Sequence, residues 1–124
     1  MKDDTTTAAA PADTGLTAWE AFQQVDIRLG TILAAAPNAK ARMPAYILDI
    51  DLGPLGVKRS SAQLTDHYTA EELVGRQVLC VTSLPPKRVA GVKSEVLVTG
   101  FPDEHGHIVL ATVDAPVPNG NRLI

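Results

Sequence analysis

The 124 residues are 45% apolar and carry a formal charge of −3, enough for one hydrophobic core and too few for two. The longest apolar runs fall well short of the roughly 20 residues that cross a bilayer, and the N-terminus shows no basic lead or apolar block, so no membrane insertion and a cytoplasmic location are expected. Of the 11 bases and 14 acids, one and four lie in residues 1–24, so the other hundred residues carry ten of each; a neutral body excludes a binder that relies on phosphate charge alone, and shape must contribute if it binds RNA.

Residues 1–18, rich in Thr, Ala, Asp and Pro, are expected to be a disordered tail, because they hold too little apolar surface to offset their ordering entropy. The folded domain is expected over 19–124. Trp19, Phe22 and Val25 fit a short helical approach whose aromatics cap one end of the fold. From Val25 to Ala36 the pattern alternates as a strand, with Gly30 marking a bend or bulge. Pro37-Asn38 opens a loop carrying Lys40 and Arg42. A second strand over Ala45–Leu52 places Tyr46, Leu48, Ile50 and Leu52 on one face.

Gly53-Pro54-Leu55-Gly56 is a turn, and Val57–Leu64 a third strand. Thr69 and Glu72 form a capping-box signal and Gly75 a stop, which predicts a short helix between strands three and four. Arg76–Leu84 is the fourth strand, ended by Pro85-Pro86. Cys80 within it reads as a buried small hydrophobe. Ser94–Phe101 and His107–Val113 read as a hairpin around Pro102–Gly106, and a Pro-rich tail ends in Leu123-Ile124. The arrangement predicts an all-β domain, a five-stranded OB-fold Greek-key barrel with a short helix after strand three and extensions at both termini.

Two segments pair cations with small hydroxyl residues. In the first, Lys58, Arg59, Ser60, Ser61 and Gln63 supply charge-assisted and directional contacts for a phosphate backbone. Strand alternation sends Lys58 and Ser60 to one face and Arg59, Ser61 and Gln63 to the other, so they cannot all meet one ligand. In the second, Lys87, Arg88 and Lys93 lie in a Pro/Gly-rich loop that leads to Ser94, and these four are the stronger candidates for nucleic-acid contact, with Arg42 a weaker one. The few aromatics disfavour base stacking along a single strand. Leu64, Tyr68, Val117, Leu123 and Ile124 are candidates for a peptide-binding or dimer surface.

Asp103-Glu104-His105-Gly106-His107 reads as a hairpin turn rather than a metal site. Asp66-His67 beside Ser60-Ser61 lacks the glycine pattern of a nucleophile elbow, and no glycine-rich phosphate loop precedes a helix. No catalytic residue, metal or cofactor is therefore expected, and the chain reads as a non-enzymatic binding protein.

Val25–Ile32, Ser60–Thr65, Gly75–Val78, Ser94–Gly100 and Pro118–Ile124 resemble, in order, the CsaA family of secretion-associated chaperones within the structure-specific tRNA-binding domain family. The resemblance covers roughly residues 19–124. It implies a homodimeric OB-fold protein that holds unfolded, export-bound precursor polypeptides, and it keeps tRNA as the alternative partner. Relatives that grip tRNA use a basic loop followed by a serine, matched here by Lys87, Arg88, Lys93 and Ser94.

Overall fold

The computed structural model describes residues 15–124. The tail expected to be disordered lies, through residue 14, outside the described residues. Helix α1 (Ala18–Gln24) begins with a reciprocal capping box: the Thr17 hydroxyl accepts the Glu20 N–H, and the Glu20 carboxylate accepts the Thr17 N–H. Strand β1 (Ile27–Pro37) is 11 residues long and carries two partners in succession. Its first half pairs antiparallel with β4 (Gln77–Val81), and its second half pairs with β2 (Tyr46–Asp51). Strand β3 (Val57–Ala62) pairs with β2, and β7 (Leu97–Val98) pairs with β4. The order β3-β2-β1-β4-β7 is a curved five-stranded sheet, nearly closed, with α2 (Ala70–Leu73) between β3 and β4. That is an OB-fold barrel.

Two features of β1 allow the curvature. A β-carbon on Gly30 would lie 2.5 Å from Ile50 Cγ2 and 2.8 Å from Leu52 Cδ2, so only glycine lets these neighbours approach. The bulge expected at Gly30 falls three residues later, where the register with β2 shifts between Ile32 and Ala34. There the backbone of Ile32 bonds instead to Gly75 and Arg76, which seats the end of α2 against the strand. Leu73 of α2 is fully buried.

The core is the alternating face of β2, with Tyr46, Leu48, Ile50 and Leu52, together with Ile32, Leu64, Leu73, Val78, Cys80, Val96 and Leu110. Leu64 thus packs inside its own barrel at 3% exposure and corrects its assignment to a peptide or dimer surface. Tyr68 packs partly against the same cluster, and its hydroxyl accepts the Leu110 N–H.

Three other expectations change. Trp19 and Phe22 lie against each other at 5.8 Å, but Trp19 does not cap the barrel: it is 61% exposed, Phe22 is only partly buried, and α1 buries no residue fully. The segment after Pro86 is a ribbon of β5 (Lys87–Val89) and β6 (Val92–Ser94), not a loop. The long C-terminal hairpin is shorter and divided, because β7 joins the main sheet and only β8 (Gly100–Pro102) pairs with β9 (Ile108–Leu110).

The glycine and the buried thiol each make a testable statement. Gly30→Ala overpacks the β1–β2 contact and is expected to lower stability by about 1–3 kcal/mol in urea unfolding, with the fold retained. Full burial of Cys80 pushes its thiol up to about 12. The native protein should therefore leave a thiol reagent at neutral pH almost unreacted, and reaction should appear with unfolding.

Candidate nucleic-acid and polypeptide interface

The free edge of β3 determines where the basic residues stand. Glu95 N–H donates to Arg59 O at 2.7 Å, Arg59 N–H donates to the Glu95 carboxylate at 3.0 Å, and Ser61 N–H donates to Ser94 Oγ at 3.1 Å. One backbone bond and two side-chain acceptors thus close the barrel between β3 and residues 94–95. The β5–β6 ribbon, which ends at Ser94, is held at this seam.

Register divides the four strongest candidates. Lys87 lies opposite Ser94 and Val89 opposite Val92, on the face where Val92 is buried; Arg88 lies opposite Lys93 on the other face. Arg88 and Lys93 therefore form a like-charged cross-strand pair, which disfavours the ribbon unless an anion lies nearby. The two-residue turn at the tip places Ala90 at φ 46° and Gly91 at φ 83°, as in a type I′ hairpin. Ala90 is the one non-glycine residue with positive φ among those described, so strain is concentrated at the ribbon tip. Lys40 Cδ would lie 3.5 Å from a β-carbon at Gly91, so the loop after β1 stands over this turn.

The resulting groove, about 350 Å³, is lined by Lys40, Arg42, Ser61, Gln63, Val89 and Ala90. A neighbouring cleft of about 240 Å³ holds Lys87 and Ser94 and shares Ser61. Lys58 lines a third cleft with Pro86 and Glu95 near the base of the ribbon.

Of the ten Lys and Arg side chains among the described residues, Arg76 stands apart, over the Tyr68 ring at 5.2 Å with its Nε donating to the Glu72 carbonyl, and the other nine fall into two groups. Arg28 and Arg122 both contact Asp26, at 2.7 and 3.3 Å, and the Arg28 guanidinium holds the Asp26 carboxyl below its ordinary value. Arg59 binds Asp49 across β2 and β3 through Nε at 2.9 Å and Nη2 at 3.4 Å. Its charge is thereby compensated, which weakens it as a ligand contact. By contrast Lys40, Arg42, Lys58, Lys87, Arg88 and Lys93 have no carboxylate within 4.0 Å among the described residues. All six border the three clefts or the ribbon. A formally neutral body thus sorts its charge, leaving uncompensated cations around the seam.

A second feature is apolar. Residues 120–123 run beside the start of β1: Gly120 N–H donates to Leu29 O, Leu29 N–H to Asn121 O and Leu123 N–H to Ile27 O. Asn119 Oδ1 accepts from Thr31 Oγ1 at 2.6 Å and from Gln77 Nε2 at 3.3 Å, fixing the tail. A groove of about 290 Å³ opens there between Ile27, Leu29, Leu79, Val117, Leu123 and Ile124. Of the five residues expected at an apolar surface, the fold brings Val117, Leu123 and Ile124 together and leaves Leu64 and Tyr68 elsewhere.

Residues 27–122 match the family described as "Putative tRNA binding domain". The chain belongs to this tRNA-binding domain family. Among solved structures it is similar to the chaperone CsaA of Bacillus anthracis, at 46% identity and a TM-score of 0.82 over 88% of this chain and 99% of that one. The CsaA chaperone protein of Picrophilus torridus gives 36% identity and a TM-score of 0.81, covering 88% and 100%. Among curated sequences it is similar to the methionine–tRNA ligase of Porphyromonas gingivalis, 33% identical over 107 residues. That alignment takes in 86% of this chain but 15% of the ligase, so the tRNA-binding domain is the part shared. No helix among the described residues is long and apolar enough to cross a membrane.

Ser94 has a structural duty in the seam whatever else it touches. Ser94→Ala removes the acceptor of the Ser61 N–H and should cost about 1 kcal/mol in urea unfolding, whereas Lys87→Ala and Lys93→Ala should stay within about 0.5 kcal/mol of the parent.

Proposed function

We propose that this chain is a non-enzymatic chaperone that binds unfolded, export-bound polypeptides as a homodimer. The carrying observation is the likeness to the chaperone CsaA of Bacillus anthracis along 99% of that protein. The distribution of apolar surface supports the reading. Helix α1 exposes Trp19, while Leu123 is 43% and Ile124 fully exposed beside the 290 Å³ groove. These exposed apolar side chains would serve association with a partner. Unfolded segments present apolar side chains for such a surface, and the six cations around the seam add attraction for acidic stretches.

The purified protein is expected to suppress aggregation of a chemically unfolded client and to bind unstructured peptides in titration. Trp19→Ser and Leu123→Ser should each reduce both effects. The proposal fails if the parent protein does neither.

A second reading, a tRNA-binding accessory protein, is favoured by the cations around the ribbon, which meet no carboxylate among the described residues. Sorting of charge partly answers the argument from net neutrality, because local rather than total charge governs counterion release. A filter-binding salt series with tRNA should show affinity falling with salt, and the slope should drop by about 1 for each of Lys87 and Arg88 replaced by Ala. Absence of binding at low salt, or an unchanged slope, removes this reading.

A further inference from the structure

The chain has three histidines, and all of them converge at one end of the barrel. His67 follows β3, whereas His105 and His107 belong to the turn between β8 and β9. The rings of His67 and His107 stand 5.8 Å apart, edge to face, and those of His105 and His107 stand 5.9 Å apart. Asp103 lies among them, with Oδ2 at 2.7 Å from His67 Nε2. One donor atom each from His67, Asp103 and His107 lies within 4.8 Å of the other two.

We propose that His67, Asp103 and His107 form a binding site for one divalent first-row transition cation of the zinc class. Two imidazole nitrogens and one carboxylate oxygen are the three-ligand set that such ions accept, with a fourth position left for water. Bonds of roughly 2.0–2.1 Å put tetrahedral ligand atoms about 3.3 Å apart. The His67–Asp103 pair, hydrogen-bonded at 2.7 Å, would open by about 0.6 Å as the ion displaces the shared proton to solvent, and rotation of the partly exposed His67 and His107 rings would bring the third ligand to that spacing. Asp66 supplies a further carboxylate, 3.9 Å from His107 Nε2.

The site is supported from behind. Asp103 Oδ1 accepts the backbone N–H groups of His105 and His107, each at 2.9 Å, which fixes the carboxylate and leaves Oδ2 facing His67. His67 is followed by Tyr68, whose carbonyl accepts the Tyr46 hydroxyl and whose own hydroxyl accepts the Leu110 N–H. Both ligand-bearing segments are thus tied to the core, as preorganised ligands require. A bound ion would join two segments 36 residues apart in sequence. Hard cations are poor occupants, because calcium and magnesium seek six or more oxygens.

The test uses the untagged, chelator-stripped full chain. Calorimetric titration with Zn²⁺ should give one ion per chain and a rise of a few degrees in Tm. Co²⁺ should give the visible absorption of a four-coordinate site, and Mg²⁺ and Ca²⁺ should give neither signal. His67→Gln and His107→Gln, both checked for unchanged urea midpoints, should each weaken Zn²⁺ binding by at least about tenfold. Absence of saturable Zn²⁺ binding in the parent would overturn the assignment. So would binding that survives His67→Gln but is lost in His105→Gln, since that marks simple chelation by the turn histidines.

Discussion

The seam between β3 and residues 94–95 is the constraint on which the rest of this molecule depends. Without it, five strands make a curved sheet with an exposed edge, and an exposed edge pairs with whatever strand it meets. The chain closes that edge economically. One backbone bond is supplemented by the hydroxyl of Ser94, the last residue of the basic ribbon, and by the carboxylate of Glu95, the residue after it. The ribbon consequently emerges at a fixed position beside Ser61, and the loop carrying Lys40 and Arg42 faces its tip. Barrel closure and presentation of charge are a single geometric event.

The electrostatic division follows from the same arrangement. At the other end of β1, Asp26 binds Arg28 and Arg122 and helps hold the C-terminal tail in register. Across β2 and β3, Asp49 neutralises Arg59. These pairs consume cations whose duty is to fix backbone, and those that border the clefts are left uncompensated. Net charge, a sum over the chain, conceals the division.

Much of the barrel was legible because its signals are local. The alternation of Tyr46, Leu48, Ile50 and Leu52 reports a half-buried strand directly, and Thr69 with Glu72 announces α2 through side chains three residues apart. The equivalent signal in Thr17 and Glu20 was equally available and marks the true start of α1. Long-range features were hidden. Nothing in Leu64 says that the chain folds it inward beyond the end of β3, and Gly30 announces close approach without saying that the bulge falls at Leu33. Val89-Ala90-Gly91-Val92 lacks the usual Asn-Gly turn signature, so the ribbon resembled a loop. The approach of His67 to Asp103 joins residues with no local relation, and it was invisible for the same reason. Among the candidate ligand residues, alternation correctly split the Lys58–Gln63 segment, but the pairing of Arg59 with Asp49 required the register of β2 with β3.

Helix α1 has a consequence for how the molecule behaves in dilute solution. Seven residues with no buried side chain gain little from packing, and a helix of that length in water does not repay its nucleation cost from propensity alone. The capping box and the bond from Arg122 to the Gln23 carbonyl hold its two ends, yet Trp19 stays exposed. Any surface that covers Trp19 therefore shifts the coil–helix equilibrium of this segment, and by linkage the helix strengthens the grip on that surface.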